Sequence, residues 1–260
     1  MNPDLELALE LADVADAITT DQFGSVDLVV ETKPDMTPVT QADRAVEMAI
    51  AERLGRSRPG HSVMGEEFGV AGAAGARARW IIDPIDGTKN YVRGIPVFAT
   101  LLALEVDGEI VLGVASAPAM GRRWWAARAE GAFGDGERIH VSAVPALSQA
   151  QLSHSSVEGW AQAKRLAPFL GLVQATGRTR GFGDFWQHVL VAQGSVDVAI
   201  EPEVSLWDLA ALLVIVEEAG GRFTDLRGVR TPAGGDVISS NGLLHDQALA
   251  ALGAGSPAAD

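Results

Sequence analysis

The residues best suited to chemistry stand in one short stretch, Asp83-Pro84-Ile85-Asp86-Gly87-Thr88, entered from the apolar run Trp80-Ile81-Ile82. That run reads as the end of a buried strand, and it delivers the chain into two carboxylates, a proline, a glycine and a threonine. Pro84 fixes φ and Gly87 permits tight turning, so a sharp bend is expected to hold Asp83 and Asp86 on one side with the Ile85 carbonyl between them. Two like charges about 4 Å apart repel by roughly 4 kcal/mol at an effective dielectric of 20, so such a pair needs a proton or a cation between its members. Two acids and a carbonyl oxygen suit a hard cation, and magnesium keeps open positions for phosphate oxygens. Asp-Pro or Asp-Gly alone is ordinarily no more than a loop acid or a helix cap.

Three further acidic elements are candidates for the same site, and each also has an ordinary explanation. Gly65-Glu66-Glu67-Phe68-Gly69 follows a short strand expected over residues 62–64, and adjacent glutamates on a loop are usually just solvated. Asp208 opens an apolar helix expected over 207–219, where an acid in the first turn gains ~0.3–1 kcal/mol from the helix dipole. Asp43 stands three residues after Thr40, the spacing of a capping box.

The hexapeptide changes the weighing, because it resembles the D-P-I-D-G-T signature of the inositol monophosphatase superfamily of magnesium-dependent phosphomonoesterases. Gly65-Glu66-Glu67 resembles the G-E-E element of that superfamily, and Trp207-Asp208-Leu209-Ala210-Ala211 with Glu218-Ala219-Gly220-Gly221 resembles its second signature. Lys33 and Thr37-Pro38-Val39-Thr40-Gln41-Ala42-Asp43 resemble its lysine-bearing loop and its threonine/aspartate pair. The resemblance implies an α/β fold, an α+β N-terminal half and an α/β C-terminal half layered as an αβαβα sandwich. It implies that Glu66, Asp83 and the Ile85 carbonyl hold one Mg2+ and that Asp83, Asp86 and Asp208 hold a second, with a third ion held loosely through Glu66 and waters as an option. Glu67 becomes an acid behind the ligands. Thr88, hydrogen-bonded to Asp43, orients the attacking water, and the N–H groups of Gly87 and Thr88 hold the phosphate beside Asp86. Lys33 and Arg180 are further candidate substrate-binding residues, and a homodimer is the expected assembly.

Residues outside this cage bear on the substrate. Thr37 to Arg44, Gly183-Asp184-Phe185 ahead of Leu190-Val191-Ala192, and Asn241-Gly242-Leu243-Leu244-His245-Asp246 look most like the histidinol-phosphate phosphatases of the superfamily. This implies L-histidinol phosphate as substrate, with inositol 1-phosphate or a broader set of sugar and nucleotide phosphates as the alternative. Asp184 and Glu201 could place two carboxylates at the organic end, where an ammonium and an imidazole would be favoured over a neutral polyol. Asp184 could equally cap a helix after Gly183, and Glu201 could be a solvated acid at a strand end. The five histidines show no ligand spacing, and His188 is expected to be a helix-face or core residue.

Other chemistries fit less well. The D-x-D-G-T phosphatases carry their two acids two residues apart, whereas Asp83 and Asp86 are three apart. An EF-hand lacks its third- and fifth-position acids here, and no G-x-x-x-x-G-K-[S/T] occurs. A metal-binding regulator without catalysis is the alternative from another class. The 260 residues are 47% hydrophobic, ample for a sizeable core, and a formal charge of −14 argues against broad binding to nucleic acid or anionic lipid. With no cysteine there is neither disulfide nor thiolate chemistry. Met1-Asn2-Pro3-Asp4-Leu5-Glu6 has no signal-peptide pattern, and the apolar run 209–216 is too short to span a bilayer, so a cytoplasmic enzyme is expected.

The elements that must position these residues can be read in outline. Asn2-Pro3 starts a helix carrying Leu7, Leu11, Val14 and Ile18 on one face. A strand is expected at 28–32, a loop at 33–38, and a helix from Thr40 to Gly55 with Val46, Ile50 and Leu54 inside. Residues 70–79 read as a flexible connector. Strands at 97–105 and 110–116 flank the hairpin turn Asp107-Gly108, and 122–128 with 131–133 continue the antiparallel sheet, pointing Trp124 and Trp125 to opposite faces. The second half alternates strand 152–155, helix 160–170, helix 184–192, strand 196–200, helix 207–219 and strand 222–224. A boundary near residue 145 is expected to divide subdomains 1–145 and 146–260, with the site between them. The Gly/Ala/Pro-rich end after Leu252 is expected to fray.

Overall fold

The computed structural model describes residues 2–34 and 36–253. The fraying expected at the C-terminal end concerns residues 254–260, outside that range. The chain begins with helix α1 (Pro3–Gln22), the strands β1 (Val30–Thr32) and β2 (Pro38–Thr40), and helix α2 (Gln41–Ser57). It continues through β3 (Ser62–Gly65), β4 (Gly69–Gly72), β5 (Ala78–Asp86), a short helix α3 (Thr88–Val92), β6 (Ala99–Val106), β7 (Glu109–Ala117), β8 (Arg122–Ala127), β9 (Gly131–Gly134) and β10 (Glu137–Arg138). Then come β11 (Gln151–His154), α4 (Val157–Gln162), α5 (Leu166–Ala175), β12 (Arg178–Arg180), α6 (Asp184–Ala192) and β13 (Val198–Glu201). Helix α7 (Leu206–Glu218), β14 (Arg222–Thr224), β15 (Val237–Ser240) and α8 (His245–Ala251) complete it.

Two larger sheets dominate, one of eight strands in the order β10-β9-β8-β7-β6-β5-β3-β4 and one of five in the order β12-β11-β13-β15-β14. Side chains alternate across a strand, so β5 feeds two cores at once. Trp80 and Ile82 face α1 and α2 with Leu11, Val46 and Ile50, while Ile81 belongs with Phe185 of α6 and Leu209 and Leu213 of α7. The far side of α6 and α7 meets the five-stranded sheet through Ala199 and Val237. Its outer face, with Leu152, Val198 and Ile238, is covered by Phe169 and Leu172 of α5 and Ala248 of α8. The layers therefore run helix, sheet, helix, sheet, helix, the sandwich expected from the sequence. Trp124 and Trp125 part as expected: Trp124 is buried in the core of α6 and α7, and Trp125 lies on the opposite face.

Several local expectations are corrected. Asp83 and Asp86 are not placed by a bend but lie within the nine residues of β5. Asp83 pairs with Leu101 and Asp86 with Ala99, so three steps on β5 oppose two on β6. This one-residue bulge matters because residues three apart on a regular strand would point to opposite faces. The Thr100 hydroxyl donates to the Pro84 carbonyl at 2.7 Å inside the bulge. Residues 70–72, expected to open a flexible connector, belong to the exposed edge strand β4, and 78–79 at its other end already lie in β5. The helix expected over 160–170 is two helices, broken around Lys164 at φ 57°. Helix α2 runs past Gly55 to Ser57, closed by Arg58 N–H on the Leu54 carbonyl at 2.7 Å.

Helix α7 lies so close to β7 that a Cβ on Gly113 would stand 2.4 Å from the Ala211 carbonyl oxygen and 2.8 Å from Val214 Cγ1. Gly113→Ala should therefore push α7 off the sheet and destabilise the fold by about 1–3 kcal/mol, read as a lower denaturation midpoint. A variant as stable as the parent would show that the contact is easily relieved.

Candidate functional site

Three acids from distant parts of the chain converge. The bulge in β5 brings Asp83 and Asp86 to one side, and α7 contributes Asp208 from its first turn. One carboxylate oxygen of each lies within 4.8 Å of the others. Each acid is also anchored by backbone N–H groups. Ile85 N–H donates to Asp83 Oδ1 at 3.0 Å, Phe185 N–H to Asp86 Oδ2 at 2.7 Å, and Ser205 N–H to Asp208 Oδ2 at 2.7 Å. Asp208 is thus the first-turn acid that its position suggested, the third residue of a capping box begun by Ser205, and a member of the cluster as well.

The electrostatics of this cluster are unfavourable without a counter-charge. Asp83 and Asp86 are 2% and 8% exposed. Burial, followed by the charges of Glu66, Asp86 and Asp208, pushes the Asp83 carboxyl well above the usual range. Burial, followed by Asp184 and Asp208, does the same to Asp86 despite the Phe185 N–H. Burial pushes Asp208 up to about 7, against the pull of the Ser205 N–H. Buried carboxylates that crowd in this way bind protons or a hard cation, so the donor set fits a divalent metal ion. Asp83, Asp86 and Asp208 could hold it.

The other expected residues lie around this centre. Glu66 is near enough for its charge to raise Asp83 and Asp208, and its Oε1 is bound by Lys33 Nζ at 2.7 Å. The same ammonium reaches Glu67 Oε1 at 2.5 Å. Burial opposes the Lys33 charge, but the two glutamates hold its pKa above the ordinary value. Thr88 Oγ1 lies 2.9 Å from the Ile85 carbonyl and 3.5 Å from Asp43 Oδ1. Asp43 forms the expected capping box with Thr40, whose N–H and hydroxyl both donate to Oδ2, and burial raises its carboxyl to about 6. Gly87 adopts φ 83°, and a Cβ there would meet the Val97 carbonyl at 3.0 Å, so glycine is required at the exit of β5.

Beside the metal-type cluster is a cavity of about 130 Å³ lined by Asp86, Asp184, Phe185, Glu201, Glu203, Val204, Asp208 and Leu212. Asp184 opens α6 at φ 48°, a left-handed conformation uncommon for residues other than glycine, and Asn90 Nδ2 donates to its Oδ2 at 3.1 Å. Burial and then the Glu201 charge raise the Asp184 carboxyl to about 6, with Lys89 and Asn90 acting against them. Arg180 is not among the residues that line this cavity; it is exposed on β12 and donates to the Thr179 carbonyl at 2.7 Å.

Two residues were missed in the sequence. Glu47 of α2 is 2% exposed and accepts from Glu67 N–H at 2.8 Å and Phe68 N–H at 3.0 Å, clamping the loop that carries Glu66. A Cβ on Gly65 would lie 1.8 Å from its Oε1, so the glycine makes room for the clamp. The available signal was an acid within the buried stripe Asp43, Val46, Glu47, Ile50 of an amphipathic helix. Asn90, the partner of Asp184, carried no such signal.

Comparison with known proteins agrees with this geometry. Residues 1–255 match the Inositol monophosphatase family. The chain is 56% identical to the histidinol-phosphatase of Mycobacterium tuberculosis over 97% of its own length and 98% of that protein. It is 55% identical to that of Streptomyces coelicolor, over 96% of each. Among solved structures, the Thermotoga maritima IMPase superposes with a TM-score of 0.86 at 33% identity, covering 96% of each chain. The extragenic suppressor protein SuhB of Bartonella henselae gives 0.90 at 30% identity, over 97% of this chain and 99% of that one. The matched fold, the length of the matches and the convergent aspartates agree, and the chain belongs to the inositol monophosphatase family.

Proposed function

We propose that this protein is a Mg2+-dependent phosphomonoesterase that hydrolyses L-histidinol phosphate to L-histidinol and phosphate. The observation that carries the reading is the surplus of acid in the cavity. Asp83, Asp86 and Asp208 suffice for a cation site, and Asp184, Glu201 and Glu203 are left over on the adjoining wall. A neutral polyol offers these carboxylates nothing that an ammonium and an imidazole would not offer better. The names of the two relatives at 55% and 56% identity support the same substrate.

Within this reading the chain's own groups divide the work. Asp83, Asp86 and Asp208 would hold Mg2+, with Glu66 and the Ile85 carbonyl as further ligands and two ions as the expected number. When bound, the ions would neutralise phosphate charge and acidify water. Thr88 can turn its hydroxyl proton toward Asp43, freeing its lone pairs to accept from the attacking water and aim it. Lys33 holds Glu66 and Glu67 together, keeping two like charges at the mouth of the site. No helix among the described residues is long and apolar enough to cross a membrane.

Asp86→Asn should lower kcat by at least about 10²-fold while far-UV circular dichroism shows the fold retained, and a chelator should do the same reversibly. Retained turnover in either case would remove Asp86 and the metal from the mechanism. Asp184→Asn should raise KM for L-histidinol phosphate far more than KM for an aryl phosphate; equal losses would contradict a role in substrate choice.

The raised carboxyls also predict a pH dependence. In the chelated protein Asp43, Asp184 and Asp208 keep their protons up to about 6 or 7, whereas the unfolded chain releases them near 4. The fold then binds more protons than the unfolded chain, so this stability is full below about pH 4 and is lost as pH rises through about 6 to 7. The Tm of the chelated protein should fall from about pH 5 to about pH 8, and Mg2+ should restore more of it at the higher pH. A Tm that rises with pH in chelator would show that the acids are held charged by other groups.

A further inference from the structure

His188 lies one helical turn after Asp184 on α6, so both project from the same side of the helix. Its ring is wholly buried, beside Phe223 at 5.9 Å between ring centroids. Both ring nitrogens are engaged. Nε2 stands 3.0 Å from Glu201 Oε1, and Nδ1 stands 2.7 Å from Ser239 Oγ. Glu201 ends β13 and Ser239 lies on the antiparallel neighbour β15, so the imidazole ties the helix to two strands of the second sheet.

The chemistry gives this chain of contacts a direction. A carboxylate only accepts, so Nε2 carries the proton, and in the neutral ring Nδ1 accepts from the Ser239 hydroxyl. Each polar atom thus has one role, with Ser239 donating to His188 and His188 donating to Glu201. The contact occupies Oε1 and fixes the rotamer of a carboxylate that shares its cavity with Asp86, Asp184, Glu203 and Asp208. Four neighbouring acids would otherwise drive that side chain away from them.

We propose that His188, backed by Ser239, is a positioning residue that locks Glu201 in the orientation in which it receives the cationic end of the substrate. It therefore sets substrate preference through Glu201 without touching the reacting phosphate. This rests on the substrate reading above, which it deepens.

The test compares KM for L-histidinol phosphate with KM for p-nitrophenyl phosphate in the Mg2+-loaded full chain. His188→Phe should raise the ratio of the two constants roughly tenfold, the scale of a lost hydrogen bond to a charged group. kcat for histidinol phosphate should fall by less than its KM rises. His188→Gln, whose amide N–H can stand near the lost Nε2–H, should recover part of the ratio, and Ser239→Ala should raise it by a smaller factor. In a Glu201→Gln background, His188→Phe should add nothing further. Equal KM changes on both substrates, or additive effects in the double variant, would overturn the proposal. Imidazole 15N spectra give a readout independent of the substrate, and they decide the matter even if His188→Phe fails to fold. His188 should appear as the Nε2–H tautomer and shift in Glu201→Gln; an Nδ1–H tautomer would overturn the proposal. A parent enzyme with no preference for histidinol phosphate, together with the Nε2–H tautomer, would sink the substrate reading and leave the His188 to Glu201 contact standing.

Discussion

Three carboxylates within 4.8 Å of one another, two of them almost wholly removed from water, cannot all ionise without a counter-charge. The rest of the structure is arranged around tolerating that crowd. Backbone N–H groups from Ile85, Phe185 and Ser205 each serve one member, and these come from a strand, a helix start in the second half of the chain and the residue ahead of another helix. The site is consequently a seam. Phe185 N–H binds Asp86 across 99 residues, so the acid of the first sheet is held by the helix layer that the second sheet also packs against.

Two features of the scaffold turn a repulsive cluster into a fixed geometry. The bulge in β5 restores Asp83 and Asp86 to a common face, and the Thr100 hydroxyl occupies the Pro84 carbonyl inside it. Gly113 lets α7 settle against β7, which fixes the depth at which Asp208 enters. Around this core, capping residues do double duty. Asp43 and Asp208 each complete a helix start and also face the site, so local helix stability and site geometry depend on the same side chains.

The acids divide into groups with different partners. Glu66 and Glu67 share Lys33, and Glu47 holds their loop through its backbone. Asp184 and Glu201 have Asn90 and His188 as hydrogen-bond partners, and line the cavity with Asp86 and Asp208. The acids tied to Lys33 are thus grouped apart from those that line the cavity.

Much of this was legible in the chain. Asp83, Asp86, Asp208 and Glu66 could be read because the residues around them resemble the signatures of a known family, and the Thr40–Asp43 cap because capping is short-ranged. The helical and strand periods likewise revealed most of the elements, and their layering was implied by the resemblance. What the sequence could not reveal depends on register and on partners far away. A bulge is a mismatch between two strands, so neither Asp83 nor Ala99 alone announces it. The edge strand at 69–72 is decided by its pairing with β3, and the break at Lys164 is a left-handed turn at an exposed residue that the helical pattern did not announce. Glu47 and Asn90 were not singled out, and His188 was read only as a helix-face or core residue. Their roles arise from partners 13 to 94 residues away, Glu201 for His188 and Asp184 for Asn90 marking the extremes. The sequence by itself determined which acids exist and which helix starts Asp43 and Asp208 stand in, because those follow from dihedral and hydrogen-bonding preferences of near neighbours. Only the tertiary structure decided which acids meet and which polar atoms are left to face the cavity, because burial and charge coupling depend on distances that no local pattern encodes.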